Sequence, residues 1–98
     1  MRQEKQPAVY LMASGRNGTL YVGVTSSLVQ RVCQHRTAAI PGFTARYACK
    51  LLVWYELYSD MTAAILREKQ IKSGSRTRKI ALIEAENPTW KDLYEEVL

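Results

Sequence analysis

Apolar positions gather near the start of the chain in two runs, "PAVYLMAS" and "GTLYVGVT", on either side of "GRNG". Each run has strand length. The glycines and asparagine between them tolerate positive φ, so the segment predicts a tight hairpin over residues 8–14 and 19–25. Alternation within the runs is imperfect, which predicts helices over a sheet face. "SSLVQRVCQHRTA" then takes up a helical period. Ser27 and Gln30 have the spacing of a capping box, Leu28, Val32 and Cys33 form an apolar side, and the helix ends before Pro41 and Gly42. "GFTARYACK" reads as a loop or short turn. "LLVWYELY", rich in branched and aromatic residues, predicts a third strand over 51–58, of a length suited to the centre of a sheet.

Three helical segments follow. "SDMTAAILREKQIKSG" has Ser59 or Asp60 as its cap and Gly74 as its terminator. "SRTRKIALIEA" stops at Asn87–Pro88. Thr89 caps a last helix, with Asp92 at the boxed position and Trp90, Leu93, Tyr94 and Val97 along one side. The order β-β-α-β-α-α-α predicts an α/β protein of the α+β kind: a small three-stranded antiparallel sheet flanked by helices. Residues 1–6 read as a tail and residues 7–98 as one domain.

A chain of 98 residues can bury a modest core, and 47% hydrophobic content argues against disorder. Its apolar stretches are too short to cross a bilayer, and "MRQEKQ" leads into no signal-peptide core, so the expected location is cytoplasmic. Cys33 and Cys49 are too distant for a redox pair and too few for a zinc cluster; they read as small buried hydrophobes with no disulfide. The net charge of +5 is unevenly spread. Residues 1–50 carry seven basic residues and one acid, Glu4, whereas residues 51–98 carry seven basic and eight acidic. The first half therefore suits either a polyanionic partner or an inert basic surface.

Several polar residues stand where packing alone would not put them. Glu68 falls inside the apolar stripe of Met61, Ala64, Ile65 and Ile71 on its helix. A carboxylate there needs an ion pair, a metal or a catalytic task. Arg31 and His35 share a helical face; arginine suits phosphate, and histidine can move a proton near neutrality. Tyr10 and Tyr21 lie on opposite arms of the hairpin, as cross-strand partners in packing or as the floor of a site. Gly23, inside a strand, marks a bulge or a close approach that could open space for a ligand. Lys69, Lys72, Arg76, Arg78 and Lys79 form a run without an intervening acid, either a phosphate-binding patch or a solvated surface. The chain has no Walker loop, dinucleotide fingerprint, HExxH or GxSxG.

In order, these residues resemble the GIY-YIG nuclease domain family, and most of all its small stand-alone bacterial members. "AVY" (8–10) and "YVG" (21–23) stand for the name-giving motifs, keeping the tyrosines and the glycine. The resemblance runs from about residue 7 to residue 97, and "TLYVGVTSSLVQRVCQH" and "LVWYELYSDMTAAILREKQIK" carry most of it. It matches the catalytic arginine to Arg31, a histidine of several branches to His35, the metal-binding glutamate to Glu68 and a late asparagine to Asn87. Gly74 departs from the tryptophan that close relatives carry after their lysines.

The resemblance implies an endonuclease that hydrolyses phosphodiester bonds in nucleic acid, DNA first, with one Mg²⁺ or Mn²⁺ ion on Glu68. Arg31 would brace the phosphate, and one phenol would take the water's proton, its pKa lowered by metal and arginine. His35 and the other phenol would place water or leaving group, and Asn87 would hold Glu68 or a strand end. The alternative is a nucleic-acid-binding module of the same fold with weak or absent turnover.

Overall fold

The computed structural model describes residues 6–98; most of the expected tail, residues 1–5, lies outside the described residues. β1 (Ala8–Ala13) and β2 (Leu20–Thr25) form the hairpin, followed by α1 (Leu28–Arg36), α2 (Phe43–Arg46), β3 (Leu51–Leu57), α3 (Met61–Lys72), α4 (Arg76–Glu86) and α5 (Tyr94–Val97). The three strands make one antiparallel sheet in the order β2-β1-β3. This is the small α/β fold that the hydrophobic pattern predicts.

β1 holds the centre of the sheet, where the length of the third run had suggested β3. The reason is visible in its side chains: all six residues of β1 are buried. Because side chains alternate across a strand, Val9, Leu11 and Ala13 face one core and Ala8, Tyr10 and Met12 face another. The first core takes Ala64 and Ile71 from α3 and Ile83 from α4. The second takes Leu28 and Val32 from α1 and Leu93, Tyr94 and Val97 from the end of the chain. β3 is an edge strand whose last residue, Leu57, is mostly exposed.

The pairing of β1 with β3 shifts register between Leu11 and Met12, which face Trp54 and Leu52. Val53 is thus an extra residue in the ladder. Its carbonyl accepts from Asn87 Nδ2 at 3.0 Å. The same amide donates to Lys91 O at 2.8 Å, and Asn87 Oδ1 accepts from the Lys91 N–H at 3.0 Å. Asn87 therefore secures a strand irregularity and a tight loop; its hydrogen bonds go to these groups and not to Glu68.

That loop also explains why the last helix is shorter than the sequence predicts. Trp90 has φ of +59° and turns inward, with its indole N–H on Glu84 Oε2 at 2.7 Å. Helix begins only at Tyr94, so Thr89 is not its cap. Asp92, expected to box the helix start, accepts from the Leu52 and Tyr94 N–H groups and pairs with Arg36.

Other local expectations divide. Asp60 caps α3 by accepting from the Ala63 N–H at 2.8 Å, and Ser75 caps α4 through the Arg78 N–H at 3.1 Å. Ser27 makes no side-chain cap, and its own N–H instead donates to Thr25 Oγ1 at 3.0 Å. Residues 28, 32 and 35 form the inner stripe of α1, so His35 is buried and Cys33, expected inside, is exposed. Cys49 is buried, and both thiols are free. On α3 only Ala64 and Ile71 are buried, and Ile65 faces outward. No helix among the described residues is long and apolar enough to cross a membrane.

Candidate functional site

Tyr10 points from the central strand toward the edge strand, and Gly23 lies directly opposite it. A Cβ at Gly23 would sit 2.8 Å from Tyr10 Cε1 and closer still to Cζ and the hydroxyl. The space made by Gly23 is therefore filled by Tyr10 itself and is not left for a ligand. Tyr21 pairs with Met12, which makes the two phenols diagonal neighbours on one face and not direct partners. Their ring centroids are 6.3 Å apart.

Beneath the phenols lies a chain of hydrogen bonds. Tyr10 Oη is 2.8 Å from His35 Nε2, and His35 Nδ1 is 2.9 Å from Thr44 Oγ1. His35 and Thr44 are only 4% and 5% exposed, so neither competes with bulk water for these bonds. A neutral imidazole donates from one nitrogen and accepts at the other, and both are used here. Tyr21 places its ring 5.4 Å from His35 in an edge arrangement.

Thr44 is the member that sequence reasoning missed. It comes from α2, a single helical turn in the stretch expected to be a loop or short turn. The turn closes at both ends in ways periodicity does not reveal. Gly42 precedes it at φ +132°, and Ala48 follows at φ +55°. The Cys49 N–H bonds to Thr44 O at 2.9 Å, the six-to-one bond of a Schellman closure.

The electrostatics of this cluster are specific. Burial raises the Tyr10 hydroxyl well above the ordinary phenol value, and the nearby Tyr21 and Glu68 push the same way. The Arg31 guanidinium lowers it by charge and as a donor, yet burial prevails. Arg31 thus acts on this phenol in the expected direction, but the net shift is upward. His35 is held below the usual histidine value by burial and by Arg31. It is thus neutral at pH 7 and can accept a proton. Tyr21, Arg31 and Glu68 thus act on the Tyr10 hydroxyl, and Arg31 acts on His35.

Glu68 keeps its place in the inner stripe of α3, with its side chain 13% exposed. It faces Lys72 on the next turn, with Nζ 3.8 Å from Oε2. Among the described residues no three His, Cys, Asp or Glu side chains gather into a cage for a metal. A lone carboxylate does not fit a zinc chelate. It fits a hard ion that keeps its own waters and completes its shell with substrate phosphate.

The basic run is more occupied than its sequence suggests. Arg76 donates to the hairpin carbonyls of Asn17 and Gly18 at 2.7 and 2.8 Å. Lys79 Nζ donates to Gly74 O at 2.7 Å, and Lys72 faces Glu68. Lys69 and Arg78 are exposed. This run and Asn87 stand apart from the hydrogen-bonded cluster at Tyr10.

Residues 6–81 match the profile of the GIY-YIG catalytic domain. A UPF0213 protein of Desulfotalea psychrophila is 33% identical over 79 residues, 80% of this chain and 72% of that protein. A UPF0213 protein of Natronomonas pharaonis is 33% identical over 75 residues, 76% of this chain and 87% of that one. Relatives thus occur in archaea as well as bacteria, which corrects the bacterial affinity expected above. The solution structure of a UPF0213 protein from Bacillus halodurans shares the fold, with a TM-score of 0.56 at 21% identity over 89% of this chain and 92% of that one.

Proposed function

The chain belongs to the GIY-YIG domain family in its UPF0213 branch, and from that premise we propose that it is a nucleic-acid-binding module with a slow phosphodiester-hydrolysing centre. The observation that carries the hydrolytic part is the buried Tyr10–His35–Thr44 chain, with Arg31 and Glu68 acting on the same hydroxyl. Packing alone does not call for a neutral imidazole bonded at both nitrogens beneath a phenol. The weakness of the centre follows from its single carboxylate, since no three-ligand cluster is present among the described residues.

Tyr10 Oη–H donates to His35 Nε2, and His35 Nδ1–H donates to Thr44. In this tautomer Tyr10 Oη keeps a lone pair for a water beside the one that Arg31 addresses. As that water attacks phosphorus, Tyr10 takes its proton and passes its own to His35, so the phenol need never be a free phenolate. This arrangement suits a hydroxyl whose pKa burial has raised. Arg31 holds the phosphate oxygens, and Tyr21 orients the water. When bound on Glu68, Mg²⁺ or Mn²⁺ supplies charge relief to the phosphoryl group.

Single-turnover cleavage of labelled DNA and RNA with Mn²⁺ tests this reading, beside binding measured in chelator. Glu68→Ala should abolish cleavage while binding survives, because a carboxylate that repels phosphate is gone. A folded Glu68→Ala protein that cleaves at the wild-type rate would refute the hydrolytic centre. A module that only binds would show salt-sensitive affinity and no cleavage in either form. That no metal cage gathers among the described residues is the observation in its favour.

A further inference from the structure

α2 and the residue that caps its end carry two rings that the fold leaves half exposed. Phe43 and Tyr47 are 46% and 44% exposed, with centroids 4.6 Å apart. The Arg46 guanidinium lies 5.5 Å from the centre of the Tyr47 ring. Scattered surface aromatics are ordinary, but these form the outer end of a row. Phe43 is 6.0 Å from Tyr21, and Tyr21 is 6.3 Å from Tyr10. A line of ring contacts therefore leads from the buried hydroxyl to solvent.

The backbone presents this turn in a defined way. Ala48, a non-glycine residue, is held left-handed at φ +55° to close it, with Gly42 at φ +132° ahead of it. A left-handed alanine is disfavoured and persists where its surroundings enforce it. The same turn points Thr44 inward to His35, so its buried side braces the hydrogen-bond chain while its exposed side offers Phe43 and Tyr47.

Charge narrows the occupant. Between Lys5 and Glu56 the sequence has no Asp or Glu, so Arg46 stands beside the Tyr47 ring in a stretch of sequence free of carboxylates. Flat, exposed rings with adjoining cations suit bases and phosphates together, the combination that grips single strands. An intact duplex keeps its base faces stacked and offers the rings nothing.

We propose that Phe43 and Tyr47 form a stacking platform for unpaired bases of single-stranded nucleic acid, with Arg46 on the adjoining phosphate. The platform rests on the reading of this chain as a nucleic-acid-binding module, and it adds the substrate class: strands with unpaired bases, fed backbone-first toward Tyr10 and Arg31.

The test is fluorescence anisotropy in chelator with short oligothymidylate, oligouridylate and a blunt DNA duplex of equal length. Wild type should bind the single strands more tightly than the duplex. Phe43→Ala and Tyr47→Ala should each weaken single-strand binding roughly tenfold, with duplex affinity and salt slope unchanged. Phe43→Trp should retain binding, and Arg46→Ala should lower the salt slope by about one. Both rings are exposed, and circular dichroism confirms that the variants fold. Equal wild-type affinity for strand and duplex, or alanine variants that bind single strands like wild type, would overturn the platform. A parallel Mn²⁺ cleavage arm separates the two ideas. The binding pattern without cleavage keeps the platform and rejects the hydrolytic centre; cleavage without the pattern does the reverse.

Discussion

The two faces of β1 put alternate residues of one short strand to different uses. Val9, Leu11 and Ala13 enter an apolar core with Ala64, Ile71 and Ile83. Tyr10, on the opposite face, meets a buried histidine and, through it, a buried threonine. The first face needs only shape and volume. The second needs each polar atom matched, because an unpaired buried group costs about 1–3 kcal/mol. A strand buried on both sides thus joins an apolar core to a hydrogen-bonded one, and disturbing either face should leave a different signature.

Leu11→Ala attacks the apolar face and should have the largest effect on stability, a loss of about 2–5 kcal/mol in chemical denaturation. Gly23→Ala attacks the other. Its methyl would collide with the Tyr10 ring at the base of the hydrogen-bond chain. It should lose about 1–3 kcal/mol as an overpacked site does, and binding in chelator should outlast any cleavage. Gly15→Ala in the hairpin is the control, since a Cβ there meets nothing within 4 Å and stability should hold.

A third distinction appears in pH. The folded state holds His35 below its ordinary value of 6.5. Below about 6.5 the unfolded chain therefore binds more protons than the folded one, and stability falls as pH drops toward the folded pKa. The slope from this group should be at most about 1.4 kcal/mol per pH unit within that window. Denaturation at a series of pH values should show it in wild type and lose that component in His35→Asn. Leu11→Ala should keep the slope while lowering the whole curve. The smallest effect should come from Ala48→Gly, which relieves a left-handed alanine and should raise stability by about 1 kcal/mol.

The sequence made the apolar face easy to read and the polar face harder. Strand positions followed from branched and aromatic runs, and Glu68 stood out because helical spacing put it between Ala64 and Ile71. His35 was visible as a neighbour of Arg31, but its burial was not, because Cys33 competed for the same helical side. Thr44 gave no signal: a four-residue helix closed by an alanine at φ +55° has no periodicity, and its stop lacks the expected glycine. The role of Gly23 was hidden because its neighbour depends on strand register, which places Tyr10 opposite it. Residues 90–93, expected as the start of the last helix, form a loop held by Asn87 through Val53, a partner far away in sequence.

The most direct test of the buried hydrogen-bond chain as a hydrolytic centre is the single-turnover cleavage rate of Tyr10→Phe against wild type, with Mn²⁺ and a saturating labelled strand. The substitution keeps the ring beside Gly23 and removes only the hydroxyl that meets His35. The rate should fall roughly 10²-fold or more, the scale of general base catalysis, while affinity in chelator stays within about twofold. Equal rates for the folded variant and wild type would contradict it.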